Sequence, residues 1–117
     1  MSKEAKVFLA EDDESVRKLE KRVISLHGHT IALETTSLED ALEKVKLAKE
    51  KGVNVAVLDG CLSDGPWKDD GKVIAQALRE LIPSIKIVSC SSMLLDWGDV
   101  NLYKTDAVKI GEIIDKL

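Results

Sequence analysis

No apolar run in the sequence approaches the ~20 residues that a helix needs to cross a bilayer, and the opening "MSKEAK" lacks the apolar stretch of a signal peptide. Membrane insertion and secretion are therefore not expected, and a cytoplasmic location is. Basic tracts are missing as well. Lys and Arg number 17 against 21 Asp and Glu, a net charge of -4, so nothing matches a phosphate-backbone footprint and direct nucleic-acid binding is not expected. Cysteine is scarce: Cys61 and Cys90 are far apart, form no CxxC or Cys/His metal spacing, and read as reduced thiols in a packed interior. Repeats, linkers and low-complexity tracts are absent. With 117 residues, 44% of them hydrophobic and 32% charged, the chain has material for one core under a solvated surface, so one domain over 1–117 is expected.

What is present begins with "KVFLAEDDESVR", where the apolar residues Val7 to Ala10 run into four acids, Glu11 to Glu14. Carboxylates about 4 Å apart repel by roughly 4 kcal/mol at an effective dielectric near 20, so crowding them requires open solvent or a cation. After the acids, Val16, Leu19, Val23 and Leu26 recur at helical spacing until Gly28, and His27 and His29 on either side of it read as exposed loop residues rather than metal ligands.

"TIALET" reads as a second strand. A helix follows that starts on Ser37 with Asp40 three residues later, buries Leu38, Leu42 and Val45 and ends at Gly52. "VNVAVLD" is a third strand, apolar as expected when both faces are covered, and ends on Asp59. "DGKVIAQALRELI" is helical, with Val73, Ile74, Ala77, Leu78 and Leu81 on one face and Pro83 as its stop; "IKIVSC" and a weaker "VNLYK" are strands, and a closing helix carries Ile110, Ile113, Ile114 and Leu117. Trp67 and Trp97 are expected to pack the long loop and the short stretch that hold them.

Strands alternating with helices predict an α/β fold, a doubly wound five-stranded parallel sheet with helices on both faces. Such sheets bind ligands beyond the C-terminal ends of their strands. The residues there are Glu11 and Asp12, Asp59, Ser91 or Ser92, and Lys104. Three carboxylates, a hydroxyl and an ammonium would meet at one edge. A hard cation such as Mg2+ takes carboxylate oxygens and would relieve the repulsion among the acids; Asp59 could then attack a phosphoryl group, with Lys104 and Ser91 on its oxygens.

The constellation resembles the receiver domain of two-component response regulators, from "VFLAEDDESVR" through "VAVLDG" and "IVSCSS" to "LYKT". The resemblance implies the flavodoxin-like strand order 2-1-3-4-5 and a phosphoacceptor domain, not an enzyme, that takes its phosphoryl group from a histidine kinase or histidine phosphotransfer protein. It implies Asp59 as phosphoacceptor and Glu11 and Asp12 as metal carboxylates, with the backbone carbonyl of Cys61 also on the Mg2+. It further implies Ser91 as switch hydroxyl and Lys104 as the lysine that pairs with phosphate. Arg17 fits the receiver spacing after Glu11-Asp12.

The sequence departs from the receiver pattern in several places. Gly71 comes about four residues late, Ser63 stands where a proline is usual, Thr105 follows the lysine, and Asn101 replaces an aromatic. The stretch from Ser91 to Lys104 is also too short for a full helix, so the fourth helix is expected to be shortened. A degenerate receiver that docks without phosphorylation is the alternative these departures favour. A haloacid-dehalogenase-type phosphatase would need D-x-D where this chain reads Glu-Asp-Asp, and a flavodoxin-like cofactor binder would need Gly, Ser or Thr in the first turn.

Overall fold

The computed structural model describes residues 4–62 and 69–117; Ser63 and Trp67 lie outside them. The elements follow the alternation that the sequence predicts. They are β1 (Lys6–Ala10), α1 (Glu14–Leu26), β2 (Thr30–Thr35), α2 (Leu38–Ala48), β3 (Val55–Leu58), α3 (Asp70–Leu81), β4 (Lys86–Ser91) and β5 (Val100–Tyr103). A 3-10 helix over Lys104–Lys109 leads into α4 (Ile110–Asp115). All strand pairs are parallel and the order is β2-β1-β3-β4-β5, the doubly wound order expected.

Alternation along each strand divides the core between the two faces of the sheet. From β1, Phe8 and Ala10 join Ala41, Val45, Ile74 and Leu78 of α2 and α3, while Val7 and Leu9 join Ile24 of α1 and Ile110 and Ile114 of α4. Because both faces are covered, β1 and β3 read as unbroken apolar runs. Asp13 caps α1 by accepting from the N–H groups of Ser15 and Val16, and Ser37 caps α2 by accepting from the Asp40 N–H. Gly28 and Gly52 take φ of +81° and +73° in the turns that lead into β2 and toward β3, a region open to glycine at little cost.

Helix phases differ from the sequence-based expectation. On α1 the buried residues are Glu20, Val23 and Ile24, and Leu19 and Leu26 are exposed. Glu20 occupies the inward position between Val16 and Val23, so the apolar pattern passes to its neighbour Leu19 and points to the wrong face. On α2, Ala41, Val45 and Ala48 are buried and Leu42 is exposed; on α3, Val73 is exposed and Ala75 is buried.

His29 also corrects its expectation, since it is buried rather than looped out. Its Nδ1 accepts from the Ala5 N–H at 2.9 Å, which leaves the proton on Nε2 to donate to Asp115 Oδ1 at 2.7 Å. His27 Nδ1 lies 2.7 Å from the other oxygen of the same carboxylate, and its ring lies so close to Gly111 that a Cβ there would come within 2.3 Å of it. Two histidines thus fasten α4 to the α1–β2 turn, and Asp115 is held below the usual carboxylate range by hydrogen bonds from His27 and then His29.

Between β4 and β5 the shortening goes further than expected, because residues 92–99 contain no helix. Polar side chains meet the backbone needs that a helix would have met internally. Asp99 Oδ2 accepts from the Ile87 N–H at 2.8 Å, Asn101 Oδ1 accepts from the Gly98 N–H at 2.9 Å, and Arg79 donates to the Trp97 carbonyl at 2.9 Å. Trp97 packs against the α2/α3 side of the core, as its sequence context suggests.

Candidate functional site

The four acids after β1 divide into two pairs. Asp13 and Glu14 serve α1: the first is its N-cap, and the second lies in its first turn and pairs with Lys18 at 3.1 Å. Glu11 and Asp12 stay at the strand end. The Glu11 N–H donates to the Thr35 carbonyl at 3.1 Å, and Arg17 donates to the Glu11 carbonyl at 3.1 Å, which fixes the backbone there. Glu11 is buried although it carries an acid, and Asp12 is exposed.

β3 delivers Asp59 beside them. Its N–H donates to the Ala10 carbonyl at 2.9 Å, and its side chain is only 3% exposed. Lys104, which opens the 3-10 helix after β5, donates from Nζ to Asp59 Oδ2 at 3.0 Å and to Glu11 Oε2 at 3.1 Å. Glu11, Asp12 and Asp59 each offer an oxygen within 4.8 Å of the others, the only such group of His, Cys, Asp or Glu among the described residues. Ser91 is buried at the end of β4, whereas Ser92 is exposed. Cys61 is half-buried two residues past Asp59.

One ammonium cannot neutralise this many carboxylates. Burial pushes Glu11 well above the ordinary glutamate range, reinforced by hydrogen bonding and repulsion from Asp59. Asp59 is also raised, chiefly by burial, against the opposing effect of its bonds to Glu11 and Lys104. For Lys104, burial acts to lower the pKa, but Asp59 and then Glu11 outweigh it and hold the ammonium charged. Glu11 Oε2 accepts from Lys104 and from the Asp13 N–H at 3.1 Å, while its Oε1 is buried with no hydrogen-bond partner. An orphaned carboxylate oxygen beside two further carboxylates is a hard-oxygen donor set, and a divalent cation such as Mg2+ fits it.

Three residues that matter here, Asp70, Glu20 and Leu95, were not singled out from the sequence. Asp70 is buried and accepts from the Leu62 N–H at 3.0 Å, tying the end of the long loop back to its start. This lets Gly71, late in sequence, reach the site: its N–H donates to the Gly60 carbonyl at 3.2 Å, and a Cβ on it would lie 2.2 Å from the Asp59 carbonyl oxygen. Glu20 is buried beneath the site, its pKa raised to about 8 by burial, with repulsion from Asp59 adding to the rise. Leu95 packs on Gly60. A buried glutamate on an otherwise apolar stripe is the one signal among these that the sequence carries.

No protein-family model matches the sequence, and no curated protein matches it. Solved structures do. The receiver domain of the PhyR response regulator from Erythrobacter litoralis superposes with a TM-score of 0.76 at 19% identity, over 97% of this chain and 88% of that one. The Borrelia burgdorferi CheX-CheY-BeF3-Mg2+ complex gives 0.64 at 18%, over 76% and 63%. The Salmonella typhimurium RcsB response regulator gives 0.68 at 15%, over 93% of this chain but only 57% of RcsB. The fold is therefore that of response-regulator receiver domains, and the chain spans a little over half the length of a complete regulator such as RcsB.

Proposed function

We propose that residues 1–117 act as one receiver domain that accepts a phosphoryl group onto Asp59 from a phosphohistidine donor, a histidine kinase or histidine phosphotransfer protein, in two-component signalling. The observation that carries this reading is the buried Asp59 carboxylate held by Lys104 at 3.0 Å beside Glu11 and Asp12. In transfer, an Asp59 oxygen forms a bond to phosphorus while the donor's P–N bond breaks and the departing imidazole takes a proton.

Lys104 is already charged and placed to pair with a phosphoryl oxygen, and the Ser91 hydroxyl at the end of β4 is the candidate donor to another. Glu11, Asp12, Asp59 and the Cys61 carbonyl would hold Mg2+, which when bound supplies positive charge against the carboxylates and the incoming phosphoryl oxygens. The Borrelia CheY complex contains Mg2+ and BeF3, which supports that assignment. The chain is then a phosphoacceptor and not a turnover enzyme, and its location is cytoplasmic, where such donors act.

A phosphorylation-independent docking role is the second reading, favoured by the absence of a helix over 92–99. One experiment separates the two. After incubation with acetyl phosphate and Mg2+, intact-mass measurement should show the gain of one phosphoryl group in the parent chain and none in Asp59→Asn. No gain in the parent points to docking, and a gain that persists in Asp59→Asn places the acceptor elsewhere.

A further inference from the structure

We propose that Leu95 shields the phosphoryl group on Asp59 from water and so sets how long the phosphorylated state lasts; the proposal rests on the reading of Asp59 as phosphoacceptor. Within 92–99 the neighbours Met93 and Leu94 are 69% and 57% exposed, whereas Leu95 turns inward. It meets the chain beside the acceptor. A Cβ on Gly60 would come within 2.7 Å of Leu95 Cδ1 and 3.2 Å of Ser91 Oγ, so Leu95 and the candidate phosphoryl-binding hydroxyl converge on the residue next to Asp59.

The wall extends past Leu95. The Trp97 ring lies against Gly71, where a Cβ would come within 2.8 Å of it, and Gly71 is in turn hydrogen-bonded to Gly60. The segment is also pinned along its length, by Arg79 on the Trp97 carbonyl, Asn101 on Gly98 and Asp99 on Ile87. A helix at this place would be held by its own hydrogen bonds; here polar side chains hold Leu95 against Gly60 and Trp97 against Gly71 instead.

Loss of the phosphoryl group requires a water oxygen to bond to phosphorus as the P–O bond to Asp59 breaks, returning the carboxylate and releasing inorganic phosphate and a proton. An apolar side chain fixed at this edge removes positions from which that water can approach.

The test loads the full chain with acetyl phosphate and Mg2+, removes the donor by rapid desalting, and follows the loss of phosphoryl mass over time. Leu95→Ala and Leu95→Ser should load as the parent does and lose the group several-fold faster, and Leu95→Met should decay like the parent. Thermal melting of each variant separates packing from shielding, because a residue that only packs lowers the melting temperature and leaves the decay rate alone. Should Leu95→Ala unfold, Leu95→Val, which keeps the fold's apolar contact but opens the wall, should still decay faster than the parent. Parental or slower decay in folded Leu95→Ala or Leu95→Val overturns the shield alone. A parent chain that gains no phosphoryl mass overturns the phosphoacceptor reading and the shield with it.

Discussion

Lys104 and Asp59, 45 positions apart in sequence, meet at 3.0 Å, and the same ammonium reaches Glu11 at 3.1 Å. The contact closes the sheet's C-terminal edge, bringing together chain from the ends of β1, β3 and β5. Removing Lys104 leaves two buried carboxyls without their cation, and an unsatisfied buried acceptor costs roughly 1–3 kcal/mol. Lys104→Met should therefore lower the urea midpoint at pH 7, and the loss should shrink at pH 5, where Asp59, raised by burial, takes up a proton instead of standing buried and charged; Glu11, raised to about 9, already holds its proton at pH 7. An equal loss at both values would mean that Lys104 contributes packing rather than charge.

Divalent cation should stabilise the domain by mass action, since Glu11, Asp12 and Asp59 gather oxygens in the folded state alone. The melting temperature should rise with millimolar Mg2+. Asp12 is exposed and bears no part of the core, so Asp12→Ala should fold normally and show a diminished rise. Metal-free Asp12→Ala should melt no lower than the parent, because one repelling charge is gone. A Mg2+ response of undiminished size would show that the ion binds elsewhere.

Glu20 should make the protein less stable as pH rises. Its pKa goes from the ordinary 4.5 to about 8 on folding, so between those values the folded state holds a proton that the unfolded state has lost. Stability then falls with rising pH across that window, by about 3 kcal/mol at pH 7 for this group alone. A hydrogen bond with Cys90 offsets part of this burial, but Glu20 Oε1 itself has no hydrogen-bond partner. Glu20→Leu should raise the urea midpoint at pH 7 to 8, with the advantage narrowing toward pH 4. A pH-independent difference between the two proteins would show that the glutamate is not buried as a protonated acid.

Much of this protein was legible in its sequence. Apolar runs with helical segments between them fix a parallel α/β sheet, because crossovers of this length carry the chain back to start each strand on the same side. That geometry brings the strand ends together, so Glu11, Asp12, Asp59, Lys104 and one of Ser91 and Ser92 could be named from their positions after the apolar runs. The same positions put acids at two strand ends and Lys104 at a third, and the structure brings Glu11, Asp59 and Lys104 within hydrogen-bond reach.

Only the tertiary structure decided which face of each helix turns inward and what fills the space after β4. Periodicity finds an apolar stripe but not the sheet it faces, so Glu20 concealed the true stripe of α1 and left Leu19 and Leu26 to suggest a false one. His29 reads as a turn residue until Ala5 and Asp115, which lie far from it in sequence, supply partners for both ring nitrogens. The stretch 92–99 has a length that excludes a full helix, but its path depends on Asp99 and Asn101 satisfying backbone groups and on Trp97 reaching the core. Apart from the local bond of Asn101 to Gly98, these pairings join residues well separated in sequence and appear in no local pattern, because their energy exists only once the sheet has placed the partners side by side.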